Sequence, residues 1–237
     1  MPKRLLAALL ALCGVAALAA QHPPFEDSMA QRTLACTACH GQQGRAGPDG
    51  FYPRIAGKPA GYLYNQLLNF RDGRRRYGLM AGLLAPLSDA YLQEIAQHFA
   101  ALDLPYPPPS RPQVPATVLE RGRLLVTQGD AAARVPACVR CHGERLTGVQ
   151  PNTPGLLGVS HDYLSAQLGA WRTGQRHAHA PDCMASIAQR LTPEDLQAAA
   201  YWLSSQTLPA DPHPVAALPQ PAPEACGSAI LPAGSPR

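Results

Sequence analysis

Lysine is nearly absent from this 237-residue chain, and the basic residues are scattered and almost all Arg. Aromatic residues make up only 6% of it, so there is little to interleave with a basic face. Nucleic-acid binding is therefore not expected. Alternating apolar and polar runs are also missing, which argues against a β-sheet protein. Beyond the N-terminus no apolar stretch reaches the ~20 residues of a spanning helix. The one long apolar run, Leu5 to Ala20, follows Lys3 and Arg4 and ends in small residues, with Ala17-Leu18-Ala19 as an A-x-A site. That pattern predicts a signal peptide over 1–20. Cys13 lies inside it and is expected to leave with it. The mature protein is then expected in the periplasm and not as an integral membrane protein.

Cysteine is present in a pattern. Of the seven, four fall in CTACH (36–40) and CVRCH (138–142), two copies 102 residues apart. Cys-x-x-Cys-His is the attachment sequence of haem c: Cys36, Cys39, Cys138 and Cys141 add to the porphyrin, and His40 and His142 stand beneath the iron. A zinc site would need further Cys or His pairs at ligand spacing, and none follow. A thioredoxin-like pair would need a βαβ setting that the pattern lacks. Two covalently bound haems c are expected.

The similarity of the two halves extends past the haem motifs. YPRIAG (52–57) matches TPGLLG (153–158), YLYNQLLNFRDG (62–73) matches YLSAQLGAWRTG (163–174), and LMAGLLAPLSDAYLQEIAQHFAAL (79–102) matches CMASIAQRLTPEDLQAAAYWLSSQ (183–206). Repeats of this kind predict two tandem domains, 21–103 and 116–208. Between them LPYPPPSRPQVP (104–115) holds six prolines and reads as a linker. A Pro-rich irregular tail fills 209–237. Each domain is expected to be all-α. Tyr62, Leu63, Gln66, Leu67 and Phe70 recur at helical spacing, as do Tyr163, Leu164, Gln167, Leu168 and Trp171. Ser88 and Thr192 read as N-caps, the latter with Pro193 at N1. Thr117 and Glu120 read as a capping box, and a short helix is expected over 28–34.

The second axial ligand decides what each iron does. Met80 and Met184 occupy equivalent repeat positions, 40 and 42 residues after His40 and His142. A thioether favours iron(II) and raises the potential. The carbonyls of Pro53 and Pro154 are placed to accept from the histidine Nδ1–H and so orient the rings. Cys183 and Cys226 remain after haem attachment; a disulfide, a free thiol and iron ligation by Cys183 are all open. His177 and His179 read as solvent-facing. Arg74-Arg75-Arg76 reads as a solvated loop, with a docking patch as the alternative. No catalytic constellation is found.

Taken in order, these motifs resemble the tandem dihaem class I cytochromes c of the cytochrome c4 type, over residues 30–206. The resemblance implies two cytochrome c folds about an approximate twofold axis, haem propionates facing the interdomain contact, and His/Met ligation in both. It implies periplasmic transfer of single electrons from a quinol-oxidising complex or dehydrogenase to a terminal oxidase. The sequence departs from the pattern at the short helix before Cys36, at Cys183 and in the tail with Cys226. A thiosulfate dehydrogenase-like enzyme, using Cys183 on iron, and the fixed cytochrome subunit of a larger dehydrogenase are the alternatives.

Overall fold

The computed structural model describes residues 26–229, so the expected signal peptide lies outside the described residues. The first half holds α1 (Met29–Arg32), α2 (Leu34–His40), α3 (Ala60–Arg71), α4 (Gly78–Leu84) and α5 (Asp89–Ala100). The second holds α6 (Ala116–Thr127), α7 (Val139–His142), α8 (His161–Arg172), α9 (Cys183–Arg190) and α10 (Pro193–Ser205). A two-stranded antiparallel ladder, β1 (Gly148–Val149) with β2 (Thr153–Pro154), lies between α7 and α8. The all-α expectation holds apart from this ladder. Among the described residues no helix is long and apolar enough to cross a membrane.

Local chemistry explains where the C-terminal helix of each half starts. Ser88 accepts a hydrogen bond from the Tyr91 amide at 3.3 Å, and Thr192 accepts one from the Asp195 amide at 3.1 Å, satisfying donors that a helix start leaves unpaired. The inner face of α5 is Leu92, Ile95, Ala96 and Phe99, all buried against Leu63, Tyr64 and Leu68 of α3. Its counterpart in α10 is Leu196, Ala199, Ala200 and Leu203. Smaller side chains there make room for α6, which crosses α10 closely at Gly122. A Cβ at Gly122 would lie 2.1 Å from the Ala198 carbonyl oxygen and 2.8 Å from Trp202 Cβ. Backbone cannot yield as a side-chain tip can. Gly122→Ala is expected to cost about 3 kcal/mol, read as a lower Tm of the second half in thermal unfolding.

Two expectations about helix starts need correction. α6 begins at Ala116 after Pro115, one residue before the capping box expected at Thr117, and no side chain caps it. Glu120 instead pairs with Arg123 at 2.7 Å, an i,i+3 contact inside the helix. The short helix before Cys36 is interrupted at Thr33, whose hydroxyl bonds the Met29 carbonyl at 2.6 Å; α2 then carries the first haem motif. Met29 packs on the first core.

The linker is docked. Arg54 donates to the carbonyls of Leu104 and Pro105, and its guanidinium lies 3.9 Å from the centre of the Tyr106 ring. Ser110 bonds Ser204 through both backbone and side chain. The tail follows the second half as an irregular strap. Val215 bridges Gly148 and Gln150, Cys226 forms a disulfide with Cys183, and the Ala229 amide reaches Asn65 Oδ1 of the first half at 2.7 Å.

Candidate functional site

A cavity of about 1080 Å³ runs through both halves. It exceeds the usual span of one small-ligand pocket, roughly 300–1,000 Å³. Cys36, Cys39, His40, Pro53 and Met80 line it in the first half; Cys138, Cys141, His142, Pro154 and Met184 line it in the second. Each set is assembled from the same parts: the end of the motif helix, the proline loop that follows, and the short helix before the capped one. Gly41 shows why the motif helix stops where it does. Its φ is +74°, and a Cβ there would lie 2.3 Å from the Ala46 carbonyl oxygen. The chain therefore turns immediately after His40 and brings the proline loop back over the ring.

His40 Nδ1 is 2.8 Å from the Pro53 carbonyl oxygen, and His142 Nδ1 is 2.8 Å from that of Pro154. A carbonyl only accepts, so each ring carries its proton on Nδ1 and keeps the Nε2 lone pair for a metal. Burial pushes both imidazoles below their ordinary pKa, which favours the neutral, ligating form. Burial also raises Cys138, to about 12, and moves Cys36 and Cys141 upward. Among the described residues the four motif cysteines form no disulfide.

At the contact between the halves, Arg75 and Arg176 are 8% and 4% exposed. They are repeat equivalents and pair through an antiparallel bridge, the arrangement a local twofold relation produces. Arg75 donates to Gln66 Oε1, Tyr163 Oη and Gln167 Oε1, and Arg176 donates to Gln167 Oε1 and Gln66 Oε1. Their planes also stack over Phe70 and Trp171. Every one of these partners is neutral. Among the described residues neither arginine forms an ion pair, although two buried like charges are costly without counter-charge. Burial pushes Arg176 down from its ordinary pKa, with Arg75 adding to the effect. Trp171 Nε1 is likewise buried without a partner and lines the same cavity. A group that is large, flat and apolar, with anionic edges, meets all of these needs. Haem c has that shape and charge, and its vinyl carbons suit the paired thiols. The residues present fit it.

Residues 120–207 match the family model for cytochrome c. The thiosulfate dehydrogenase electron acceptor of Thiomonas intermedia is 36% identical over 84% of this chain and 91% of its own. Cytochrome c4 of Pseudomonas aeruginosa is 32% identical over 84% of this chain and 97% of its own. The chain belongs to the cytochrome c4 family. A solved thiosulfate dehydrogenase (TsdBA) from Marichromatium purpuratum superposes with a TM-score of 0.67 at 31% identity, covering 75% of this chain and 40% of that one.

In this cytochrome c4 relative the structure revises the reading of three sequence features. Arg74-Arg75-Arg76 is not a uniformly solvated loop. Arg76 is exposed, Arg74 bonds Asn69 and Asp72, and Arg75 is buried at the contact between halves. The signal was available: Arg75 and Arg176 both lie two residues after the repeated Gly73 and Gly174. His177 is exposed, but His179 Nε2 is buried and has no hydrogen-bond partner among the described residues, so only one of the pair faces solvent. Cys183 is bonded to Cys226, which selects the disulfide from the three states left open. Lys58 has no repeat partner to mark it in the sequence, yet it is only 6% exposed.

Proposed function

We propose that this cytochrome is a periplasmic electron carrier with two covalent haems c, one in each of the domains 21–103 and 116–208. It takes single electrons from a dehydrogenase or quinol-oxidising complex and delivers them to a terminal oxidase. Haem c, when bound, supplies a one-electron iron(III)/iron(II) couple. The chain's own residues do the rest. Cys36, Cys39, Cys138 and Cys141 would tether the macrocycles. His40 and His142, oriented by the carbonyls of Pro53 and Pro154, would each hold one iron through Nε2, with Met80 and Met184 as the second ligands. Arg75 and Arg176 offset the anionic edges at the domain contact. The apolar lining excludes water and keeps reorganisation small.

The single observation that carries this reading is the duplicated donor set on one continuous cavity. With Cys183 engaged by Cys226, no thiolate is offered to the second iron, which argues for carriage over thiosulfate oxidation. The named function of the Thiomonas relative favours a thiosulfate dehydrogenase as the donor. Met80→Ala and Met184→Ala test the ligands. Each variant is expected to lose the sulfur-to-iron absorption of one centre and to shift one step of a redox titration to lower potential. An unchanged spectrum in either would remove that methionine from the assignment. Mixing the oxidised protein with a thiosulfate dehydrogenase and thiosulfate should reduce both centres; failure to reduce either would exclude that donor.

A further inference from the structure

Lys58 belongs to the first half but ends in the second. Its Nζ donates to the Gly155 carbonyl at 3.2 Å, across 97 residues of chain. Gly155 follows Pro154, whose carbonyl accepts from His142 Nδ1. The ammonium is buried, lines the cavity, and has the Tyr106 ring 5.9 Å away; among the described residues it forms no ion pair. Burial, with Arg54 adding, lowers its pKa to about 8, so it is mostly charged at neutral pH.

A cation this poorly compensated is costly to keep, and its repeat equivalent needs none. IAGK (55–58) aligns with LLGV (156–159), which puts Val159 in the corresponding place. Arg75 and Arg176, by contrast, occur in both halves and roughly balance in any comparison between them. Lys58 is thus an unmatched charge directed at one side of a nearly symmetric molecule.

We propose that Lys58 is a positioning residue that raises the reduction potential of the second half's centre relative to that of the first. The reading rests on the two-haem assignment above. Two effects act in the same direction. A fixed cation near the centre favours the state with one more electron. The same cation, drawing on the peptide segment that holds His142, makes that segment a weaker acceptor for Nδ1–H and the imidazole a weaker donor to iron(III).

The test uses the holoprotein with Lys58→Met, Lys58→Gln and Lys58→Arg. Haem content is first counted as the pyridine haemochrome. One haem per chain in the unaltered protein would defeat the two-centre assignment, separately from the Lys58 claim. With two present, the redox step of the second half is identified as the one displaced by Met184→Ala. Lys58→Met is expected to weaken reduction at that step roughly tenfold, about 59 mV for one electron, while the other step moves less. Lys58→Gln should do the same, which covers the case in which the Met variant fails to assemble. Lys58→Arg should keep the wild-type value. Unmoved steps, equal movement of both, or an Arg variant displaced as far as the Met variant would each overturn the proposal.

Discussion

Changing Cys138 and Cys141 together to alanine is expected to halve the covalent haem and to melt the second half, leaving the first half folded and red. The size of the effect follows from the cavity. An apolar void costs on the order of 24 cal/mol per Å³. If the two ligand sets share the cavity equally, an unfilled second half would carry a penalty of roughly 13 kcal/mol, comparable with the whole stability of a small domain, about 5–15 kcal/mol. The protein core cannot close over such a space. Leu164 and Leu203 line it from the second half's core, as do residues of α9 and the proline loop. Haem stoichiometry and far-ultraviolet circular dichroism check the result together. Two tightly held haems with unchanged helicity would show that the thiols do not secure the group.

Cys226→Ser is the second large change. The Cys183–Cys226 bond closes a loop of 43 residues, and the chain-entropy relation gives about 3–4 kcal/mol for a loop of that length. The expected outcome is a urea midpoint for the second half lowered accordingly, with the first half's transition unmoved. Cys183→Ser should lose the same amount without leaving a free thiol beside Met184, and mild reduction of the native protein should reproduce both. Part of the tail's attachment survives these changes. Glu224 still pairs with Arg190 at 3.0 Å, and Val215 still bridges the β1–β2 ladder. A midpoint that does not move would mean these contacts alone hold the strap.

The two predictions draw on different kinds of information. The haem motifs are contiguous: Cys36, Cys39 and His40 must lie within one helical turn to serve one ring, so their spacing is visible in the chain itself. The same is true of the caps at Ser88 and Thr192 and of the helical faces built on Leu92 and Leu196. The failed capping box at Thr117 shows the limit of that reasoning. Pro115 takes the N-cap place two residues early, and Arg123 then takes Glu120. Met80 and Met184 lie far from their histidines in sequence, and only the repetition of the chain singles them out as the proposed second ligands.

What the sequence determined by itself, then, was the chemistry of near neighbours: two haem motifs, a duplicated all-α domain, and the caps and apolar faces of its helices. Tertiary structure decided how the copies meet. It joined the two pockets into one cavity, buried Arg75 against Arg176, sent Lys58 across to Gly155, and paired Cys183 with Cys226. The physical reason is range. Periodicity and capping are enforced within a few residues of backbone, whereas a buried charge or a disulfide depends on segments that only packing brings together.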